Sequence, residues 1–208
     1  MNILIVDDHA IVRLGLKQLV TEAYPYAKLE EAATSKEALI LLDRVRWDLV
    51  ILDVNLPDQS GIELLKEMKA RQASLPVMML SLHPEEQYAL RALKSGASAY
   101  LTKERAPEEL ATAINQVLGG HKFITPTLAE RLATIAFSPA GQLPHERLSD
   151  REFQVLCAIG QGKTVSSIAS DLALSVKTVS TYRTRLLDKL DMKNTTDLIR
   201  YTLDHALA

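Results

Sequence analysis

Two adjacent carboxylates, Asp7 and Asp8, follow the short apolar run "ILIV" near the start of the chain. A run of this length that ends in turn-type residues is typical of a fully buried strand, so both acids lie at its carboxyl end. Two neighbouring negative charges close to surroundings of low dielectric constant repel each other. We therefore expect a partner that compensates their charge.

Polar side chains follow later apolar runs in the same way. They are Asp53 in "LDVNLPDQSG", Ser81 after "VMML", and Tyr100 with Lys103 in "AYLTK". The apolar runs alternate with amphipathic segments, and this alternation predicts a parallel sheet covered by helices on both faces. In such sheets ligands bind at the carboxyl ends of the strands.

The predicted fold class is α/β, with a five-stranded doubly wound parallel sheet in the first 120 residues. The predicted strands are 3–6, 28–32, 49–52, 77–80 and 99–101, and the predicted helices are 10–22, 36–45, 61–71, 84–94 and 107–118.

Three carboxylates, a hydroxyl and an ammonium group should converge at this edge of the sheet. Unit charges about 4 Å apart repel by roughly 4 kcal/mol at an effective dielectric constant of about 20, and Lys103 alone supplies too little positive charge. Oxygen ligands with room left for water suit magnesium. The sequence therefore predicts Mg²⁺ as the cofactor, bound beside a carboxylate that does chemistry.

Taken in order, these residues resemble the receiver domain of bacterial two-component response regulators, over about residues 1–120. The resemblance implies that Asp53 attacks a phosphohistidine of a sensor histidine kinase and becomes an aspartyl phosphate. It implies a metal site in which Asp8, Asp53 and the backbone carbonyl of Asn55 bind Mg²⁺ directly and Asp7 acts through water. It also implies phosphoryl contacts from Ser81 and Lys103 and an inward rotation of Tyr100 that signals to a neighbouring face.

Two positions near the implied phosphoryl site stand out. Glu104 follows Lys103 where many receivers have proline, and the proline comes only at Pro107. His83 lies two residues after Ser81, where it either influences water attack on the aspartyl phosphate or faces solvent.

The alternating pattern ends near Gly120. Residues 121–147 hold an amphipathic piece, 126–137, followed by Pro139, Gly141 and Pro144, which is typical of a linker. The predicted organisation is a first domain at 1–120, a linker at 121–147 and a second domain at 148–208.

The second domain is predicted to be all-α, with four helices. Ser149 with Glu152 has the spacing of a capping box, and that helix should end at Gly160 or Gly162. Ser175 should cap the third helix, "VKTVSTYRTRLLDKL", which packs through an inward stripe of Val179, Tyr182, Leu186 and Leu190. Together with the preceding helix and the turn "LALS", it describes a helix-turn-helix whose second helix enters the DNA major groove.

From Leu148 to about Leu207 the chain resembles the LuxR-type DNA-binding domain, and together the two domains resemble the NarL/FixJ family of response regulators. The resemblance implies base-facing positions at Ser180, Thr181 and Thr184, and phosphate-directed positions at Lys177, Thr178, Arg183 and Arg185. The last helix carries one stripe of Leu198, Tyr201, Thr202 and His205. This stripe either packs onto its own domain or supplies the dimer contact, as the last helix commonly does in this family.

Charge is distributed unevenly along the chain. Residues 1–120 carry 13 Lys and Arg against 17 Asp and Glu, whereas residues 145–208 carry 9 against 8. The basic excess lies in "VKTVSTYRTR", which is either a solvated helix face or a surface for nucleic acid.

The single cysteine, Cys157, excludes an intramolecular disulfide, and no apolar run approaches the ~18 residues that span a bilayer. We expect a cytoplasmic protein without a membrane partner.

The sequence thus predicts a phosphorylation-controlled transcription regulator, not an enzyme, whose partners are a sensor histidine kinase and double-stranded promoter DNA and which acts as a homodimer. One alternative is a regulator that is always dimeric and never phosphorylated, which the complete set of Asp8, Asp53 and Lys103 argues against. The other is a phosphatase or phosphotransferase built on the first domain, which the basic recognition helix disfavours.

Overall fold

The computed structural model describes residues 1–137 and 143–207 of the chain. Its contacts divide the chain into two compact units, Met1–Leu132 and Ala133–Ala208. Within the described residues, no helix combines the length and the apolar character needed to cross a membrane.

Five strands and five helices alternate in the first unit, as the sequence pattern predicts. The strands are β1 (Asn2–Val6), β2 (Lys28–Ala32), β3 (Leu49–Asp53), β4 (Val77–Ser81) and β5 (Ala99–Thr102), and the helices are α1 (Ala10–Ala23), α2 (Ser35–Leu42), α3 (Gly61–Arg71), α4 (Glu85–Lys94) and α5 (Ala106–Leu118).

All five strands are parallel, in the order β2-β1-β3-β4-β5. The three central strands, β1, β3 and β4, are almost wholly buried, which explains why they appear in the sequence as continuous apolar runs. Apolar residues of α1 and α5 complete one core with the sheet, among them Leu16, Val20, Leu110 and Ile114. The predicted α/β fold class is confirmed.

Helix α2 is shorter than the sequence pattern predicts, because it ends at Leu42 rather than at Val45. The indole Nε1 of Trp47 donates a hydrogen bond to the carbonyl of Leu41 at 3.0 Å. In a continued α-helix the backbone N–H of Val45 would donate to this carbonyl, so the indole of Trp47 takes the place of the next helical bond.

The remaining helices are α6 (Pro126–Phe137), a short 3-10 helix (Pro144–Arg147), α7 (Asp150–Gly160), α8 (Val165–Asp171), α9 (Val176–Lys189) and α10 (Thr195–Asp204). Both predicted helix starts are confirmed, since Ser149 and Glu152 form a capping box and the Ser175 side chain accepts from the backbone N–H of Thr178. The predicted linker, 121–147, contains α6 and the 3-10 helix, and its residues 138–142 lie outside the described residues. Its bounds stay a prediction.

Candidate functional site

The predicted acidic residues meet at the carboxyl edge of the sheet, between β1 and β3. This is the point where the strand order reverses, and ligands bind there in open α/β sheets. Ligand atoms of Asp7, Asp8, His9 and Asp53 all lie within 4.8 Å of one another. The strand ends therefore bring three carboxylates and one imidazole into a single cluster.

Lys103, which follows β5, reaches into this cluster. Its Nζ lies 2.8 Å from Oδ2 of Asp53 and 2.6 Å from Oδ2 of Asp7. All three side chains are at least nine-tenths buried, so the ammonium group is held between two carboxylates away from solvent. The backbone fixes this arrangement as well, because the N–H of Lys103 donates to the carbonyl of Ser81 at 2.8 Å.

Two carboxylates, Asp7 and Asp53, share one cation in this pocket, and the pKa of Asp53 reflects that shortage. Burial raises the pKa of Asp53 to about 6, and the negative charge of Asp7 adds to the effect, although Lys103 opposes it. Burial also disfavours the charged form of Lys103, but attraction to Asp53 and Asp7 outweighs this and raises its pKa. The pocket therefore favours a further positive charge near Asp53.

The loop after β3 turns tightly beneath Asp53. The N–H of Asn55 donates to Oδ1 of Asp53 at 3.3 Å, and the N–H of Gly61 donates to the carbonyl of Val54 at 2.8 Å. A Cβ atom at Gly61 would lie only 1.9 Å from the Asp53 carbonyl oxygen. Glycine is therefore required at the start of α3, because the backbone of Asp53 passes directly over it.

The loop after β4 links Ser81, His83 and Tyr100. The N–H of His83 donates to Oγ of Ser81 at 3.0 Å, and the hydroxyl of Tyr100 donates to the carbonyl of His83 at 3.0 Å. Tyr100 is buried. The His83 ring lies 3.2 Å from the side-chain nitrogen of Asn55, measured from its Nε2 atom. His83 thus contacts a residue of the acceptor loop, and Tyr100 holds the backbone of the loop that carries Ser81.

His9 belongs to the pocket although the sequence pattern did not single it out. Its ring atom Nδ1 lies 2.7 Å from Oδ1 of Asp8, and its backbone N–H donates to Oδ1 of Asp7 at 2.8 Å. The signal was the position directly after the acidic pair, in "DDH". Another buried carboxylate, Glu85 at the start of α4, was not singled out from the sequence either. This buried carboxylate accepts a hydrogen bond from Thr125 at 2.5 Å, across 40 residues of chain.

In the second unit, α8 and α9 form the predicted helix-turn-helix. Val179, Leu186 and Leu190 of the predicted inward stripe are buried, and Tyr182 is half-buried. Lys177, Thr181, Thr184 and Arg185 are exposed on α9, whereas Thr178 and Ser180 are partly exposed. A surface cavity of about 250 Å³ lies along this helix, lined by Lys177, Thr178, Thr181, Tyr182 and Arg185.

The hydroxyl groups that were predicted to face bases bond to their own helix. The side chains of Ser180, Thr181 and Thr184 each donate to the carbonyl four residues earlier, at 2.9, 3.0 and 3.2 Å respectively. These bonds leave the oxygen lone pairs able to accept from a ligand, and a rotation about one bond releases the proton. The hydroxyls are therefore accessible, and their orientation is set by the helix itself.

Arg183 differs from the other predicted phosphate-directed cations. It is only partly exposed, and its Nη1 donates to Oγ1 of Thr195 at 3.0 Å, at the start of α10. The guanidinium group thus joins α9 to α10 through Nη1. This bond favours a role in packing within the domain, and the predicted phosphate contact of Arg183 stays a prediction.

The stripe predicted on α10 makes contacts within its own domain. Leu198 and Thr202 are completely buried in their own domain, so neither side chain is available to a partner. Tyr201 and His205 are half-buried; the Tyr201 hydroxyl lies 2.9 Å from Nδ1 of His145 in the 3-10 helix. The apolar side chain that α10 exposes most is Leu203, at 65%. The burial of Leu198 and Thr202 favours the intramolecular alternative, and a dimer contact through α10 stays a prediction.

Comparison with known proteins gives independent support for both units. Residues 3–115 match the response regulator receiver domain, and residues 146–202 match the bacterial regulatory proteins of the luxR family. The chain is 31% identical to the response regulator GacA of Pseudomonas aeruginosa over 208 residues, which cover all of this chain and 97% of that protein. It is 30% identical to the response regulator UvrY of Escherichia coli K12, over all of this chain and 95% of that protein.

Solved structures resemble the chain over nearly its whole length. RcsB of Salmonella enterica serovar Typhimurium, bound to the promoter rprA in the presence of phosphomimetic BeF3⁻, matches with a TM-score of 0.64 and 26% identity, covering 97% of this chain and 98% of that one. The acidic sheet edge and these matches define a response regulator in which a receiver domain precedes a LuxR-type DNA-binding domain. The chain belongs to the NarL/FixJ family, whose members are transcriptional response regulators.

Proposed function

We propose that this protein controls transcription in response to phosphorylation of Asp53 by a sensor histidine kinase. The observation that carries the proposal is the position of Asp53, buried at the carboxyl end of a central strand, with Lys103 2.8 Å away. A carboxylate oxygen of Asp53 attacks the phosphorus atom, the bond from phosphorus to the histidine nitrogen breaks, and that nitrogen keeps the electron pair. One phosphoryl group is thus transferred to each chain.

The pocket would suit Mg²⁺, and the observation that supports this is that carboxylate oxygens of Asp7, Asp8 and Asp53 lie within 4.8 Å of one another. Oxygen atoms of Asp8 and Asp53, with the backbone carbonyl of Asn55, would hold the ion, and Asp7 would act through water. The bound ion supplies charge neutralisation for the phosphoryl oxygens. His9 beside Asp8 does not change this preference, because the remaining ligands are hard oxygen atoms.

The chain's own residues complete the reaction and report it. The ammonium group of Lys103 would move from the Asp53 carboxylate toward the phosphoryl oxygens, which are anionic as well. Ser81 would donate to the same group, and a movement of its hydroxyl toward the phosphoryl oxygens would pull on the N–H of His83, from which that hydroxyl accepts. Because the carbonyl of His83 accepts from Tyr100, a shift of this loop changes the hydrogen bond that holds the tyrosine inside.

For DNA we propose that α9 enters the major groove. Lys177, Thr178 and Arg185 would contact phosphates, and Ser180, Thr181 and Thr184 would face base edges. Hydroxyls donate or accept toward several bases, so a single domain reads sequence only modestly. Two domains on a two-fold operator bind as one unit, and dimerisation is therefore the point at which phosphorylation controls binding.

We further propose that the protein is not an enzyme and that it works in the cytoplasm. A phosphatase on the same fold would release phosphate repeatedly, whereas a regulator keeps one phosphoryl group per chain until slow hydrolysis. A phosphate-release assay with acetyl phosphate and Mg²⁺ distinguishes the two, because many turnovers per chain would contradict our proposal. A constitutive dimer, the other alternative, would show the same assembly for the wild type and for Asp53→Asn.

The DNA-binding part is tested by selection of genomic fragments. Wild-type protein treated with acetyl phosphate and Mg²⁺ is expected to retain a defined set of fragments that share an inverted repeat. Asp53→Asn protein given the same treatment is the matched control and should retain far fewer of them. Equal retention by both proteins would separate DNA binding from phosphorylation and contradict the proposal.

A further inference from the structure

We propose that Arg13 is a positioning residue that fixes the metal-binding corner of the receiver, formed by Asp7 and Asp8. The inference rests on the proposed function, because it concerns the Mg²⁺ that would assist phosphorylation of Asp53. Arg13 lies in the first turn of α1 and does not reach the acceptor itself. It acts through the backbone of the strand end that carries the two acids.

The contact is direct and nearly buried. Nη1 of Arg13 donates to the backbone carbonyl of Asp7 at 2.6 Å, and its Nε donates to Oε2 of Glu31 on β2 at 3.0 Å. Only 16% of the Arg13 side chain is exposed. One planar group therefore joins Asp7, the residue directly after β1, to Glu31 of the neighbouring strand, which pairs with Ile5 in the sheet register.

Glu31 holds this guanidinium group in place with the help of a second cation. Its other oxygen, Oε1, accepts from Nζ of Lys17 at 2.6 Å. The hydrogen bond from Lys17, together with that from Arg13, lowers the pKa of Glu31, so the carboxylate stays charged. Lys17 shares the same anion as Arg13, but no contact to Asp7 joins it to the pocket in the described residues.

With Arg13 included, Asp7 is held on every side. Its N–H donates to the carbonyl of Ala32 at 3.1 Å, its Oδ1 accepts from His9, and its Oδ2 pairs with Lys103. Fixing the carbonyl of Asp7 also fixes the plane of the peptide bond to the next residue. That residue is Asp8, whose side chain is 35% exposed, whereas the side chain of Asp7 is 1% exposed.

Two opposite effects of removing Arg13 can be distinguished. If the arginine positions Asp8, its removal weakens Mg²⁺ binding, as loss of groups that orient metal ligands typically does by about 10-fold or more. If it acts only as a positive charge near a cation site, its removal strengthens Mg²⁺ binding. The direction of the change therefore reports which role dominates.

The experiment is an Mg²⁺ titration of the full-length chain, followed by the backbone amide NMR signals of residues 7–9 and 53–55. We expect the dissociation constant for Mg²⁺ to rise about 10-fold in Arg13→Gln. Lys17→Gln removes a cation from the same carboxylate without touching Asp7, and it should leave the constant within about twofold of wild type. Arg13→Lys keeps the charge without the fork, and it should weaken binding as Arg13→Gln does.

An unchanged or smaller dissociation constant in Arg13→Gln would overturn the inference, as would an equal increase in Lys17→Gln. If the amide spectrum of Arg13→Gln lacks the dispersion of the folded chain, Arg13→Lys becomes the test. An unchanged or smaller dissociation constant for Mg²⁺ in Arg13→Lys would then overturn the inference. The proposed function fails separately, if wild-type protein with acetyl phosphate and saturating Mg²⁺ gains no phosphoryl group on Asp53.

Discussion

The receiver pocket and the recognition helix use polar residues in opposite ways. Asp7, Asp53 and Ser81 are almost completely buried, and each is fixed by backbone bonds of neighbouring strand ends. Lys177, Thr181 and Arg185 lie on an exposed helix surface. The polar groups of the pocket are thus held by the fold itself, whereas those of the helix surface are exposed to solvent.

Because of this difference, charge contributes to the free energy of the two regions in different ways. In the pocket, burial and like charge raise the pKa of Asp53 to about 6, so the charged cluster is a cost that the fold bears until a cation binds. On α9 the exposed cations are hydrated, and in the proposed complex they would gain free energy when counterions leave DNA. Substitutions in the pocket should therefore alter stability and chemistry, and substitutions on the helix should alter affinity and its dependence on salt.

The largest effect is expected for Asp53→Asn on the pH dependence of stability. An acid whose pKa rises from 3.8 to about 6 on folding binds its proton more tightly in the folded state. The free energy of unfolding therefore falls as pH rises through this window, by up to about 3 kcal/mol above pH 6. The variant lacks this titration. Urea unfolding in the presence of EDTA, followed by the fluorescence of the single tryptophan, Trp47 in the receiver, should show the wild type losing stability relative to Asp53→Asn.

Magnesium provides the control for this prediction. Because Mg²⁺ would bind the ionised carboxylates, it should restore most of the lost stability at pH 8 in the wild type and much less in the variant. A difference between wild type and variant that does not depend on pH would show that the charge of Asp53 is not the cause.

The second largest effect concerns the cations of the second unit. Lys177→Ala and Arg185→Ala should each reduce the slope of log affinity against log salt by roughly 1, because each removes one phosphate contact. Arg183→Ala should leave the slope unchanged and should instead destabilise the domain, since its guanidinium group bonds to Thr195. Fluorescence anisotropy on a selected DNA fragment at several salt concentrations checks this. An equal loss of slope in Arg183→Ala would mean that this residue contacts a DNA phosphate.

The receiver pocket was the more predictable of the two regions. Its residues could be placed from sequence because the carboxyl ends of parallel strands meet at one edge, so Asp7, Asp53, Ser81 and Lys103 converge by topology alone. His9 and Arg13 were missed because their partners depend on side-chain geometry close to the strand end. Glu85 was missed because its partner, Thr125, is distant in sequence.

Helix periodicity located α9 correctly but could not orient each side chain on it. A stripe at helical spacing does not say which element covers it, and this is why Arg183 was assigned to phosphate although it faces α10. The same ambiguity applied to the stripe on α10, of which Leu198 and Thr202 are wholly buried. Sequence patterns predict which faces are apolar, whereas the packing of the domain decides which are free.

A smaller effect is expected at Tyr201. Tyr201→Phe removes the hydroxyl that bonds to His145, which should cost about 1 kcal/mol of stability in the second unit and leave dimerisation on DNA unchanged. Leu203→Glu alters the exposed face of the same helix and is the matched test of a dimer contact. Sedimentation on DNA with an inverted-repeat site measures dimerisation of both variants. Loss of the dimer in Tyr201→Phe with normal stability would restore the tyrosine to the interface.

The smallest effect is expected at His83. Its ring contacts the side chain of Asn55, next to the acceptor, so His83→Ala should change the half-life of the aspartyl phosphate severalfold without altering the fold. Decay of the phosphorylated protein, followed by separation on a phosphate-binding gel, gives that half-life. An unchanged value would mean that the ring does not influence the approach of water.

The central claim is that Asp53 is the phosphoryl acceptor, and intact-mass measurement tests it most directly. Wild-type protein incubated with acetyl phosphate and Mg²⁺ should gain the mass of one phosphoryl group per chain. Asp53→Asn protein should gain none, because no other carboxylate of the pocket combines a strand-end position on β3 with the ammonium group of Lys103. Equal phosphorylation of Asp53→Asn would contradict the account.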